Sequence, residues 1–185
     1  MIYPDRSAYS GDWKDNERSG TGFFLGNDGT IYEGSWLNDK YHGQGKLITP
    51  DGSVYEGEFK EGLKHGYGKL TKSDGSEYRG EFKQNLIEGQ GEFTDKGKCT
   101  YKGTWKDGLK HGAGVFTWPD GKVYLGQFMN DKKQGKGILK MTNGEKYEGK
   151  WKDDKEHGLG TLIDTLGSSK AGRWENGNRA NWLAE

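Results

Sequence analysis

The chain has 185 residues, 30% of them hydrophobic, and its 28 basic and 28 acidic side chains cancel to a formal charge of zero. That balance removes the electrostatic case for nucleic acid, which needs a basic excess to release phosphate counterions, and an aromatic content of 13% argues against disorder. The single cysteine, Cys99, excludes an internal disulfide, and no run has the apolar length of a membrane span or signal peptide, so a cytosolic chain is expected.

In chain order the first element is a turn. Tyr3-Pro4-Asp5-Arg6-Ser7-Ala8 parallels Thr49-Pro50-Asp51-Gly52-Ser53-Val54, which makes residues 1–8 a lead-in. From Tyr9 the sequence repeats every 23 residues without insertion or deletion. Position one of each unit is Tyr9, Tyr32, Tyr55, Tyr78, Tyr101, Tyr124 and Tyr147, then Lys170. Position three is always glycine, from Gly11 to Gly172. Position five is always a large ring: Trp13, Trp36, Phe59, Phe82, Trp105, Phe128, Trp151 and Trp174. Positions twelve and fourteen are glycine from Gly20/Gly22 to Gly158/Gly160, and position sixteen is Phe or Leu from Phe24 to Leu162. Turn signals such as Asn143-Gly144 close most units.

Rings two and four residues apart share one face of an extended strand, and the mostly polar residues between them take the other. Glycine content and the period of two exclude helix. Each unit is therefore predicted to be a β-hairpin, and the chain an all-β, single-layer antiparallel meander, elongated and twisted, with every ring lying over bare glycine backbone. Seven full repeats (9–169) and a partial eighth with a C-terminal tail (170–185) form one array. A single layer is expected to cover each ring about half, worth roughly 2–3 kcal/mol apiece. That leaves an apolar groove for a partner, lined by Tyr32, Trp36, Tyr55, Phe59, Tyr78, Phe82, Tyr101, Trp105, Tyr124, Phe128, Tyr147 and Trp151.

Chemistry-bearing residues point away from catalysis. His42, His65, His111 and His157 share position eleven, so neighbours lie about two strand spacings, ~9.5 Å, apart, too far to share a zinc ion. The Gly-x-Gly pairs lead into strands, not helix N-termini, and so lack the setting of a phosphate cradle. Cys99 has no adjacent base. Basic residues recur at position ten (Arg18, Lys64, Lys110, Lys133, Arg179) and read as a solvated edge row. No enzyme activity, cofactor or metal is expected.

The pattern Tyr-x-Gly-x-Trp-x-x-Gly-x-x-His-Gly-x-Gly-x-Leu, carried by Tyr55-Glu56-Gly57-Glu58-Phe59 and His65-Gly66-Tyr67-Gly68-Lys69-Leu70, closely resembles the MORN repeat over nearly the whole chain. The fourth unit departs from it, with Glu88 in place of His and a displaced turn at Asp95-Lys96-Gly97-Lys98-Cys99. The resemblance implies a protein-interaction scaffold like those of ciliary radial spokes and protist cytoskeletons, with cytoskeletal or axonemal protein partners. Unpaired terminal strands also offer a place for end-to-end self-association. The alternative it implies is a tether to anionic lipid, or an accessory array serving a lipid kinase or methyltransferase.

Overall fold

A computed structural model describes residues 1–184, and the chain divides into two compact units, Met1–Lys96 and Gly97–Glu185. The first holds β1 (Ala8–Lys14), β2 (Glu17–Leu25), β3 (Ile31–Leu37), β4 (Lys40–Ile48), β5 (Val54–Lys60), β6 (Leu63–Thr71), β7 (Glu77–Lys83) and β8 (Leu86–Thr94). The second holds β9 (Thr100–Lys106), β10 (Leu109–Thr117), β11 (Val123–Met129), β12 (Lys132–Lys140), β13 (Lys146–Lys152), β14 (Lys155–Ile163), β15 (Ser169–Glu175) and β16 (Asn178–Trp182). Within each unit every strand pairs antiparallel with its chain neighbours, and the described residues contain no helix. The all-β meander of hairpins is the predicted one.

Two kinds of turn set the register. The hairpin tips are two-residue loops: Lys14 pairs with Glu17 around Asp15-Asn16, and Lys60 with Leu63 around Glu61-Gly62. Both tip residues have positive φ, 51° and 65° at Asp15 and Asn16, 53° and 81° at Glu61 and Gly62. This is the turn whose twist matches a right-handed hairpin, and it explains the Asn, Asp and Gly found there. The wider loops close on an aspartate that accepts the amide two residues on, as Asp28 does from Thr30 N (2.8 Å) and Asp74 from Ser76 N (2.8 Å).

Each hairpin also carries a bulge, which separates the two glycines of Gly-x-Gly into different roles. Gly57 pairs with Gly68 and Phe59 with Lys64, so the lone Glu58 faces His65, Gly66 and Tyr67. Gly66, at position twelve, sits in the left-handed region (φ +59°) and makes the bulge. Gly68, at position fourteen, seats the ring: a Cβ there would lie 2.6 Å from both Cε2 and Cζ of Tyr55. The sequence pattern assigned one role to both.

The rings form the core. Each position-one tyrosine lies over the glycine pair of its own hairpin and donates its hydroxyl to the carbonyl three residues on, as Tyr32 does to Ser35 O (2.8 Å) and Tyr101 to Thr104 O (2.9 Å). Where the next hairpin lies in the same unit, its edges meet two position-five rings at nearly right angles, one from its own hairpin and one from that next hairpin. Tyr32 stands 5.2 Å from Trp36 and 5.2 Å from Phe59; Tyr124 stands 5.2 Å from Phe128 and 5.0 Å from Trp151. These T-shaped pairs contribute about 0.5–1.5 kcal/mol each beyond area burial. Within each unit they also lock a hairpin to its successor.

Candidate interaction face

The expected half-covered rings are not what forms. Tyr32, Tyr101 and Tyr124 are 0% exposed, Tyr55, Tyr78 and Tyr147 1%, and Trp36, Phe59, Phe82, Trp105, Phe128 and Trp151 only 3–6%. These twelve side chains, expected to line an open groove, are core. Glycine lies beneath them, neighbouring rings flank them, and a third layer of cover closes them from above. Only at Trp13, in the first hairpin, is a position-five ring left 41% exposed.

The cover comes from position ten. Arg18 Cζ lies 4.4 Å above the Trp36 ring and 5.8 Å from that of Tyr9, and Lys133 Nζ lies 4.7 Å from Trp151 and 5.6 Å from Tyr124. In the second hairpin Tyr41 takes this place and stacks on Tyr32 at 3.8 Å and 15°. The basic row is therefore a roof over the rings, not a solvated edge. Burial of the ammonium groups pushes the pKa of Lys64 and Lys133 down, partly offset by nearby acids. Covering stems and ring faces in this way favours long side chains whose heads still reach water. Tyr41 and Ile87 in the same column were the sequence signal that it is not simply a charged edge.

Within each unit the tip of the following hairpin pins the roof. Asp39 Oδ1 accepts from Arg18 N (3.0 Å) and Nε (2.9 Å), while Asp39 N donates to Arg18 O (3.1 Å). Asn85 does the same for Lys64 N (2.9 Å), and Asp154 for Lys133 N (2.9 Å). Hydrogen bonds from Arg18 hold the Asp39 carboxyl below the usual aspartate range.

What remains accessible on this face is the half-buried position-sixteen row (Phe24, Leu47, Leu70, Phe116, Leu139, Leu162), the ammonium heads, and the acids at the tips. Sequence reasoning missed Trp118, a loop residue. It stands 4.7 Å from Phe116, with Lys122 and Lys133 4.5 and 5.3 Å from its ring. Phe116, Trp118 and Lys133, with Lys110, Phe128, Asp131 and Asp154, line a recess of about 220 Å³ in the second unit. In the first unit a wider concavity of about 1170 Å³ is lined by Tyr3, Trp13, Arg18, Phe24 and Asp39 among others. Aromatic floors with both signs of charge around them suit an extended peptide.

The histidines do not converge. They lie singly on β4, β6, β10 and β14, and the Nδ1 atoms of His111 and His157 are buried without a hydrogen-bond partner among the described residues. No group of three or more His, Cys, Asp or Glu side chains able to hold a metal occurs among the described residues. Cys99 is half-buried.

With the hairpins, ring columns and turns in place, the family comparison is decisive: residues 9–31, 32–54, 55–77, 78–100, 101–123, 124–146 and 147–165 each match the MORN repeat. The chain belongs to the MORN-repeat family. No curated protein matches it. Among solved structures, the wild-type TCP10 domain of Danio rerio CPAP is similar at a TM-score of 0.56, with 8% identity, over 94% of this chain and 82% of that one. The same zebrafish domain in complex with a peptide of Danio rerio STIL gives 0.41, with 11% identity, over 90% and 84%. The SAS-4 (dCPAP) TCP domain of Drosophila melanogaster with a proline-rich motif of Ana2 gives 0.42, with 12% identity, over 77% and 85%. At 8% identity the first likeness is one of fold.

Proposed function

We propose that this MORN array is a non-catalytic protein-interaction scaffold of a cytoplasmic cytoskeletal or axonemal assembly, of the radial-spoke kind, which holds peptide segments of its partners along the roofed ring face. The observation that carries this reading is the recess at Trp118. There an aromatic floor, two ammonium groups and the Asp131 and Asp154 carboxylates lie over a ring core too well packed to rearrange. A sheet of this kind is able to hold a peptide: the zebrafish domain that shares the fold is also known with a STIL peptide. The roofing lysines are engaged with rings and hairpin tips, which favours protein over anionic lipid, since lipid adsorption by charge needs a free basic cluster.

The test compares affinity purification and proximity labelling from cells expressing the wild type and a Phe116→Ala/Trp118→Ala variant whose circular dichroism is unchanged. Cytoskeletal or axonemal proteins should be recovered by the wild type and depleted in the variant. Recovery of soluble metabolic enzymes alone, or an identical set from both proteins, overturns the proposal.

A further inference from the structure

The back of the sheet, opposite the rings, differs between the two units. In the first unit one row across the strands alternates in charge: Glu33 opposes Lys46, Lys46 opposes Glu56, and Glu56 opposes Lys69. Lys46 and Glu56 form an ion pair of 2.8 Å, and Glu77 neutralises Lys69 (2.8 Å) and Arg79 (2.6 Å). That row is internally satisfied.

The equivalent row in the second unit is apolar. Val115 on β10 opposes Leu125 on β11, which opposes Ile138 on β12. Leu159 on β14 extends the patch at 50% exposure, and Val115 is 36% exposed. Leu125, Ile138 and Leu159 line an open depression of about 640 Å³ together with Lys136 and Lys150. Those two lysines are directly opposite one another. Like charges in that position destabilise a sheet, and among the described residues neither lysine has an ion-pair partner, nor do the nearby Lys102 and Arg173. The patch is greasy along its axis, basic at its sides, and carries one acid, Glu148.

We propose that this back face of the second unit docks an acidic amphipathic helix of a partner protein. The spacing selects a helix. Adjacent strands place Val115, Leu125 and Ile138 ~4.8 Å apart, close to the ~5.4 Å rise of a helical turn, whereas same-face side chains of an extended strand are ~6.7 Å apart. A helix crossing β10–β12 sets apolar residues at i, i+3 or i+4, and i+7 over the three side chains. Its flanking carboxylates reach Lys136 and Lys150 and relieve their repulsion. A second copy of this chain offers no helix among its described residues. The site lies on the face opposite the Trp118 recess, so the two stand or fall separately.

The test uses the full chain and a fluorescent, lactam-bridged helical peptide of Leu and Glu with its apolar residues in one stripe, beside a scrambled peptide of the same composition. The variant is Leu125→Glu/Ile138→Lys. Glu and Lys already face each other in the same register at Glu56 and Lys69, so the variant keeps the fold. Fluorescence anisotropy should show the striped peptide binding at least about tenfold tighter to wild type than to the variant, and weakening as salt rises from about 0.05 M to about 0.5 M. The scrambled peptide should bind neither. Equal binding of both peptides, equal binding to both proteins, or no binding to wild type overturns the proposal. So does a dimer mass in light scattering that collapses in the variant, which assigns the patch to self-association. Flotation with phosphatidylserine vesicles that is lost in the variant overturns it too, by assigning the patch to lipid.

Discussion

Replacing Gly68 by alanine tests the ring-on-glycine core most directly. The new Cβ would lie 2.6 Å from both Cε2 and Cζ of Tyr55, about 1 Å inside normal carbon contact. Backbone lies below, so the ring must rise. In rising it loosens its hydroxyl bond to Glu58 O (2.9 Å) and its edge contacts with Phe59 and Phe82, both at 5.0 Å. Overpacking costs about 1–3 kcal/mol, a weakened hydrogen bond about 1 kcal/mol, and two disturbed ring pairs about 0.5–1 kcal/mol each. Together these give roughly 3–6 kcal/mol, with the ~4–6 kcal/mol that burying the whole ring supplies as the ceiling. Gly62→Asn is the control. Its tip position (φ +81°) has nothing within 4 Å of an added Cβ, and Asn85 fills the same place one hairpin on. It should change stability by less than about 0.5 kcal/mol. Urea unfolding followed by tyrosine and tryptophan fluorescence reads both, with near-ultraviolet circular dichroism reporting ring order. A cycle with Tyr55→Leu isolates the clash: Gly68→Ala should cost at least about 1 kcal/mol less once the ring is gone. A Gly68→Ala protein as stable as wild type, or a strictly additive cycle, refutes the idea that the glycine exists to seat the ring.

Three further outcomes follow from the same geometry. Burial pushes the phenols up, to about 12 at Tyr101 and Tyr147. The folded form therefore keeps protons that the unfolded chain releases above its ordinary value near 10, so stability is full below pH 10 and falls as pH rises from 10 towards 12. Alkaline titration should show phenolate absorbance and loss of circular dichroism rising together, whereas phenolate forming below pH 10.5 in a fully folded protein contradicts the burial. Lys133→Ala should uncover Tyr124 and Trp151 and cost about 1–2 kcal/mol in urea unfolding, with a red shift of native tryptophan emission. An unshifted emission would mean the lysine is no roof. Asp154→Gly keeps a left-handed tip residue (φ 69°) but removes the acceptor for Lys133 N, and should cost about 1–2 kcal/mol with faster amide exchange at Lys133. Unchanged exchange there refutes the pinning.

The hairpins were legible because each is local. Tyr55, Gly57 and Phe59 declare a strand face by their spacing, and Asn130-Asp131 or Asp153-Asp154 declare a tip by their tolerance of positive φ. Closure of the ring face was not legible, because it depends on contacts between successive hairpins within a unit. Tyr32 meets Phe59 from the next hairpin, and Arg18 covers Trp36 only because Asp39 grips its backbone. In a single layer each ring is closed by its flanking rings and by the position-ten side chain above it, and neither shows in one repeat alone. Gly66 was misassigned for a related reason: a bulge changes which residue faces which, and alternation along one strand does not reveal it. The apolar back patch escaped notice because its members occupy different places in the repeat, Val115 and Ile138 on second strands and Leu125 on a first strand. Only the register lines them up.

These contacts divide the repeat into positions that fix the fold and positions free to vary. Within each unit, a tyrosine bonded to its own hairpin and wedged between two rings couples that hairpin to the next, so cohesion resides in positions one, three, five and fourteen. The back-face residues alternate with the core rings along each strand and point away from them. The same register can hold Glu56 against Lys69 in one unit and Leu125 against Ile138 in the other with the ladder unchanged. The roof is intermediate: Arg18, Tyr41 and Lys133 differ in charge and shape, yet each covers a tyrosine. A scaffold built this way alters what it binds by substitution on the back and roof, while the tyrosine–glycine column that sets its stability stays constant. Surface chemistry should therefore differ sharply between repeats whose cores are nearly identical, as the charged row of the first unit and the apolar row of the second already do.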